Sequence, residues 1–131
     1  MRSRRRVLLV DDDPVFRQLE AEILVREGCV VSEAASLEEA LVTASGATSF
    51  DLLMADFWHS ELPADELVQR FATLQPQTPR LLVNNSIRSH NDPAREQMWD
   101  AVLPRPFTML QLIELIRTLM SKPAQLSNSG T

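Results

Sequence analysis

Three aspartates, Asp11, Asp12 and Asp13, stand side by side between the apolar run Val7–Val10 and Pro14. Like charges about 4 Å apart repel by up to about 4 kcal/mol at a surface-like dielectric. The three therefore have separate duties or a shared counter-ion. Asp13 before Pro14 has the pattern of an N-cap followed by the first helical residue, a structural task. Asp11 and Asp12 are left free to hold a cation. Three more apolar runs end in polar residues: Leu52–Ala55 at Asp56, Leu81–Val83 at Asn84 and Asn85, and Ala101–Leu103 at Pro104-Arg105-Pro106-Phe107. The inventory is three or four carboxylates, an amide pair and one guanidinium. It suits a hard divalent cation, because Mg²⁺ takes carboxylate, carbonyl and water oxygens and few protein ligands.

These residues share one crevice only if the runs that carry them are neighbouring strands. Short unbroken apolar runs suit strands buried on both faces of a parallel sheet. With Cys29–Val31, which leads into a weaker VVSEA, there are five. Helix-period segments lie between them. Val15, Phe16, Leu19, Ile23 and Leu24 mark the expected inner face of a first helix closed by Gly28. Ser36 with Glu39 forms a capping box for a second helix through Ala40, Leu41 and Ala44. A third spans about Ala64 to Leu74, with Leu67, Val68, Phe71 and Leu74 inward. A brief fourth opens at Asp92-Pro93 and ends near Trp99, and a strong last helix runs from Thr108 to Met120. Alternating strands and helices predict an open α/β sheet covered on both faces by right-handed crossovers. Its site belongs at the carboxyl ends of the strands.

Composition bounds the function. A chain of 131 residues with 44% hydrophobic residues can form one domain with a real core. A net charge of −5 gives no electrostatic footprint for nucleic acid. Arg2, Arg4 and Arg5 read as a solvated basic tail over residues 1–5, followed by a domain over 6–121 that opens at Arg6 and a polar tail over 122–131. The apolar run after the arginines is too short for a signal peptide, and no stretch approaches a membrane span. The single Cys29 rules out an internal disulfide and fits a reducing cytoplasm.

With VLLVDDDP, the LLMAD run ending at Asp56, the LLVNN run and LPRPF ahead of the last helix, the sequence resembles the receiver domain of two-component response regulators. The resemblance covers residues 6 to about 120. It implies a flavodoxin-like, five-stranded parallel sheet of order 2-1-3-4-5. It implies Mg²⁺ held by Asp11, Asp12, Asp56 and the backbone carbonyl of Trp58, and phosphorylation of Asp56 by a histidine kinase or phosphotransfer protein. Arg105 and Asn84 occupy the positions that contact the phosphoryl group. No enzymatic turnover, nucleic acid or membrane is implied, and the output acts through protein contacts.

The chain departs from the family pattern at several positions. Arg105 stands where lysine is usual, and a planar fork replaces a compact charge. Asn84 stands in place of a hydroxyl residue, Asn85 where a small residue is usual, and Val102 where an aromatic ring often swings. Ser86 would replace the hydroxyl if the register slipped by two. In the loop after Asp56, Ser60 and Ala64 replace the usual proline and glycine, and Pro63 is added. Trp58 reads either as a shield over the site or as an ordinary loop aromatic, while His59 and His90 read as surface residues. On the last helix Met109, Leu112, Ile113, Ile116 and Met120, widened by Leu115 and Leu119, exceed a core stripe. That width fits either deep burial or a homodimer edge that includes Leu110.

Two other readings compete. One is a pseudo-receiver that signals by binding alone, with Arg105 in place of metal or phosphate. The other is a haloacid-dehalogenase-like phosphatase with Asp11 as nucleophile and Asp13 as acid/base. That class also wants a lysine and a second acidic pair, which the sequence lacks at strand ends.

Overall fold

The computed structural model describes residues 4–83 and 97–121. Strands β1 (Arg6–Asp11), β2 (Val30–Ala34), β3 (Leu52–Asp56), β4 (Arg80–Val83) and β5 (Ala101–Leu103) pair in parallel in the order β2-β1-β3-β4-β5. Among the described residues the helices are α1 (Pro14–Arg26), α2 (Leu37–Ala44), α3 (Asp65–Leu74) and α4 (Met109–Ser121). This is the expected sheet. The expected brief helix from Asp92 lies mostly outside the described residues.

Strand residues alternate between two apolar cores, as the two-residue period of a strand requires. Leu8, Val10, Leu53, Ala55 and Leu82 face Leu37, Leu41, Val68 and Phe71 of α2 and α3. Val7, Leu9, Leu52, Met54, Leu81 and Val83 face Ala21 and Leu24 of α1 and Leu112, Ile116, Leu119 and Met120 of α4. Burial on both sides is why the strands read as unbroken apolar runs. On α4, Met109 and Leu110 stay exposed.

The inner face of α1 differs from its expectation. Val15, Phe16 and Leu19 are exposed, and the buried residues are Glu20, Ala21 and Leu24. Asp13 sets this rotation. Its carboxylate accepts hydrogen bonds from the amides of Val15 and Phe16 at 2.9 and 3.0 Å, which fixes where the helix starts. At the far end the Gly28 amide donates to Val25 O and the Cys29 amide to Leu24 O. Gly28 there has φ +90°, the left-handed conformation such a stop needs. Cys29 is buried behind it as a free thiol. Burial and the nearby carboxylates of Glu27 and Asp51 push that thiol's pKa up.

A polar knot closes the amino-terminal edge of β3. Gln75 Nε2 donates to Ala44 O and Thr48 O, each at 3.0 Å, while its Oε1 accepts from the Phe50 amide at 3.1 Å. Thr78 Oγ1 donates to Phe50 O at 2.7 Å. The opposite, carboxyl edge is left for chemistry.

Candidate functional site

Asp11 and Asp56 end adjacent strands in direct register. The sheet therefore sets their side chains next to each other, and both are fully buried. Glu20, on the buried stripe of α1, reaches the same point. One carboxylate oxygen from each of Asp11, Glu20 and Asp56 lies within 4.8 Å of the others. Asp11 Oδ1 accepts from the Asp13 amide at 2.8 Å, and the backbone carbonyl of Asp11 accepts from Arg17 Nη1 at 2.9 Å. By contrast, Asp11 Oδ2, Glu20 Oε1 and Asp56 Oδ1 are buried and meet no N–H or hydroxyl donor.

Three desolvated carboxylates cannot all stay ionised at this separation without a cation. Burial raises the pKa of Glu20 first, and hydrogen bonding and charge from Asp11 and Asp56 add to it, to about 12. Burial and the neighbouring negative charge thus disfavour an ionised Glu20 unless a cation offsets them. Asp56 is also raised, because burial outweighs the opposing effects of Glu20 and Arg105.

Arg105 arrives from the loop after β5, whose Arg105–Pro106 peptide is cis. Its Nη2 donates to Asp56 Oδ2 at 2.6 Å. The guanidinium lies 3.8 Å from the centroid of the Trp58 ring and 5.1 Å from that of Phe107. Trp58 also stacks on Phe16, with ring centroids 4.0 Å apart. Each such contact holds the plane of the next group, by cation–π attraction and ring stacking. The exposed start of α1 therefore has a use. Phe16 backs the indole, the indole backs the guanidinium, and the guanidinium pairs with Asp56.

Asp12 is turned to the loop after β3. Its Oδ1 accepts from the Trp58 amide at 2.7 Å. Its Oδ2 accepts from the amides of His59 and Ser60 at 3.0 and 2.8 Å and from Ser60 Oγ at 2.6 Å. Burial acts to raise its pKa, but the Ser60 hydroxyl and the three amides outweigh it and hold the carboxyl low. Asp13 is also held low, first by the Phe16 amide and then by His59, whose Nε2 is 2.8 Å from Asp13 Oδ2. That contact raises His59 in turn.

Asp11, Asp56 and Arg105 thus converge with Glu20, which the sequence reading did not select. Asp12 and the Trp58 amide border the cluster and clasp the loop. Asn84, Asn85, Ser86 and His90 lie outside the described residues. Val102 is half-buried against the core beneath α2 and α3. The donor set fits a hard divalent cation: all oxygen, anionic, buried, with three oxygens lacking any other partner.

A family model described as the response regulator receiver domain matches residues 7–117. A response regulator receiver protein of Anaeromyxobacter sp. (strain Fw109-5) is 31% identical over 112 residues, which cover 85% of this chain and 47% of that protein. The chain thus spans about half the length of that relative. A CheY-like receiver domain protein from Methanospirillum hungatei JF-1 superposes with a TM-score of 0.77 at 25% identity, covering 92% of this chain and 96% of the other. The response regulator TrrA of Thermotoga maritima, in complex with Mg²⁺ and beryllofluoride, gives 0.74 at 26% identity over 88% and 98%. Fold, register and sequence agree that the chain belongs to the response regulator receiver domain family.

Proposed function

We propose that this receiver accepts a phosphoryl group on Asp56 from a histidine kinase or phosphotransfer protein, in a divalent-cation-dependent reaction, and signals through protein contacts. The observation that carries the reading is the two-sided setting of Asp56. Its Oδ2 meets the Arg105 guanidinium at 2.6 Å, while its Oδ1 faces the other carboxylates. A carboxylate attacking phosphorus is repelled by the phosphoryl oxygens, so positive charge must wait at the site. Arg105 provides one such charge, held in place by Trp58 and Phe107. In the transfer Asp56 Oδ2 forms the new bond to phosphorus and the bond from phosphorus to the donor breaks. The donor's leaving group keeps the electron pair, and the guanidinium passes from the carboxylate to the phosphoryl oxygens.

Asp11 and Asp56 are the residues that would hold Mg²⁺, with Asp12 beside them. When bound, the ion neutralises their charge and that of the incoming phosphoryl group. The complex of the Thermotoga relative with Mg²⁺ and beryllofluoride supports the same use here. The Phe16–Trp58 stack beside Arg105 would help to keep water from the acyl phosphate. We place the protein in the cytoplasm and assign it no enzymatic turnover. No helix among the described residues is long and apolar enough to cross a membrane.

Incubation with Mg²⁺ and acetyl phosphate, followed by intact mass measurement, tests this. One phosphoryl group per chain is expected, lost in Asp56→Asn. A label that survives Asp56→Asn but is lost in Asp11→Asn would point to phosphatase-like chemistry instead. That reading is already weakened because Asp13 spends its oxygens on the start of α1 and on His59. The Arg105–Asp56 ion pair gives one observation to the pseudo-receiver reading, since it already neutralises the acceptor. An unlabelled wild-type chain would favour that reading.

A further inference from the structure

We propose that Glu20 is a third carboxylate ligand of the divalent cation, beside Asp11 and Asp56; the proposal rests on the cation-dependent reading of the site. The family resemblance implies only the aspartates and a loop carbonyl. Glu20 comes from the middle of α1 and is placed by the rotation of that helix. It lies one turn beyond Arg17, which grips the Asp11 carbonyl, and one turn before the buried Leu24. The stripe therefore aims it at the carboxyl ends of β1 and β3.

Glu20 is 93% buried, with relative exposure of 7%, and its Oε1 has no donor. Asp11 Oδ2 and Asp56 Oδ1 are likewise unpartnered and fully enclosed. Buried polar atoms normally have partners. Three that lack one, on three carboxylates within 4.8 Å of each other, define a place where one cation would satisfy all of them. Charge agrees. Three carboxylates against the single guanidinium of Arg105 leave two negative charges, which one divalent ion cancels. Asp12 meanwhile gives four hydrogen bonds' worth of acceptor capacity to Trp58, His59 and Ser60. Glu20 supplies the anionic oxygen that such a site would otherwise draw from elsewhere on the chain.

Mn²⁺ titration of the full chain tests this, with affinity read by calorimetry and bound water by solvent proton relaxation. Glu20→Gln keeps the shape and removes the anionic ligand. It should weaken Mn²⁺ binding about tenfold or more and raise the number of waters on the bound ion, as a lost ligand is replaced by solvent. Glu20→Asp should fall between. If Glu20→Gln does not fold, Glu20→Leu suits the apolar surroundings of α1 and gives the same two readouts. Affinity within threefold of wild type, or weaker binding with unchanged hydration, would overturn direct ligation. Asp11→Asn is the control that separates failures. If it abolishes binding while Glu20→Gln does not, the cation site stands and Glu20 is not part of it. A wild-type chain that binds no Mn²⁺ would overturn both.

Discussion

Glu20 and Asp56 both gain pKa on folding, so each binds its proton more tightly folded than unfolded. Such a group contributes fully below its unfolded value, 4.5 for Glu20, and its contribution shrinks as pH rises above that. Asp12 and Asp13 act in the opposite sense. Held low, they contribute above 3.8 and lose that contribution as pH falls. With a chelator present, resistance to urea should therefore fall as pH rises above about 5, and Glu20→Gln should flatten the decline. An unchanged slope in that variant would remove Glu20 as its source. Asp13 was legible in the sequence because capping is local: the next residue is proline, and its donors lie two and three residues on. Asp56 and Arg105 were legible by position, at the ends of apolar runs. Glu20 was not. Periodicity is decided by apolar residues, and Val15, Phe16, Leu19 and Ile23 outweighed the quieter pair Ala21 and Leu24.

Among elements, the connections decide more than the helices. Gln75 ties the end of α2, the approach to β3 and the end of α3 into one unit. Gln75→Ala would strand the Phe50 amide and two carbonyls in a buried place. At roughly 1–3 kcal/mol for each such group, partly relieved by water, the loss should be about 3 kcal/mol. The melting temperature should drop by roughly 10 °C. Acceptance of a phosphoryl group by the folded variant should be unchanged, because the knot sits at the edge away from Asp56. Reduced labelling at a temperature where the variant is fully folded would show that the two edges are coupled. Little near Gln75 in the chain announces this role, since the backbone groups its side chain ties together lie 25 to 31 residues away. The helices and strands themselves were readable because each carries its own signal: the capping box at Ser36, the stop at Gly28, the unbroken runs of the sheet.

For the whole molecule, the sheet divides one rigid base from one working edge. A change at that edge spreads only through groups that contact it differently in two states. By the family resemblance, Asn84 and Val102 take the places of the hydroxyl and ring that usually carry such a change. Beryllofluoride with Mg²⁺ should therefore alter hydrogen exchange in residues 57–63 and 84–92 and leave α4 unchanged. The first segment includes the amides that Asp12 holds, which report directly on the acidic cluster. New protection along Met109–Ser121, or dimerisation on adding beryllofluoride, would show that the change reaches α4 by another route.

The placement of Cys29 has a practical side. The chain's single thiol is enclosed behind the stop of α1, with its ionisation suppressed, on the end of the sheet away from Asp56. Maleimides and other thiol reagents need an exposed thiolate, so native Cys29 will stay silent while the chain is folded. A cysteine introduced on the exposed face of α4, at Leu110 for example, would then be the sole attachment point for a dye or spin label. Dimer formation and partner docking become measurable on an otherwise unaltered chain, and sudden labelling of Cys29 serves as a clock for unfolding.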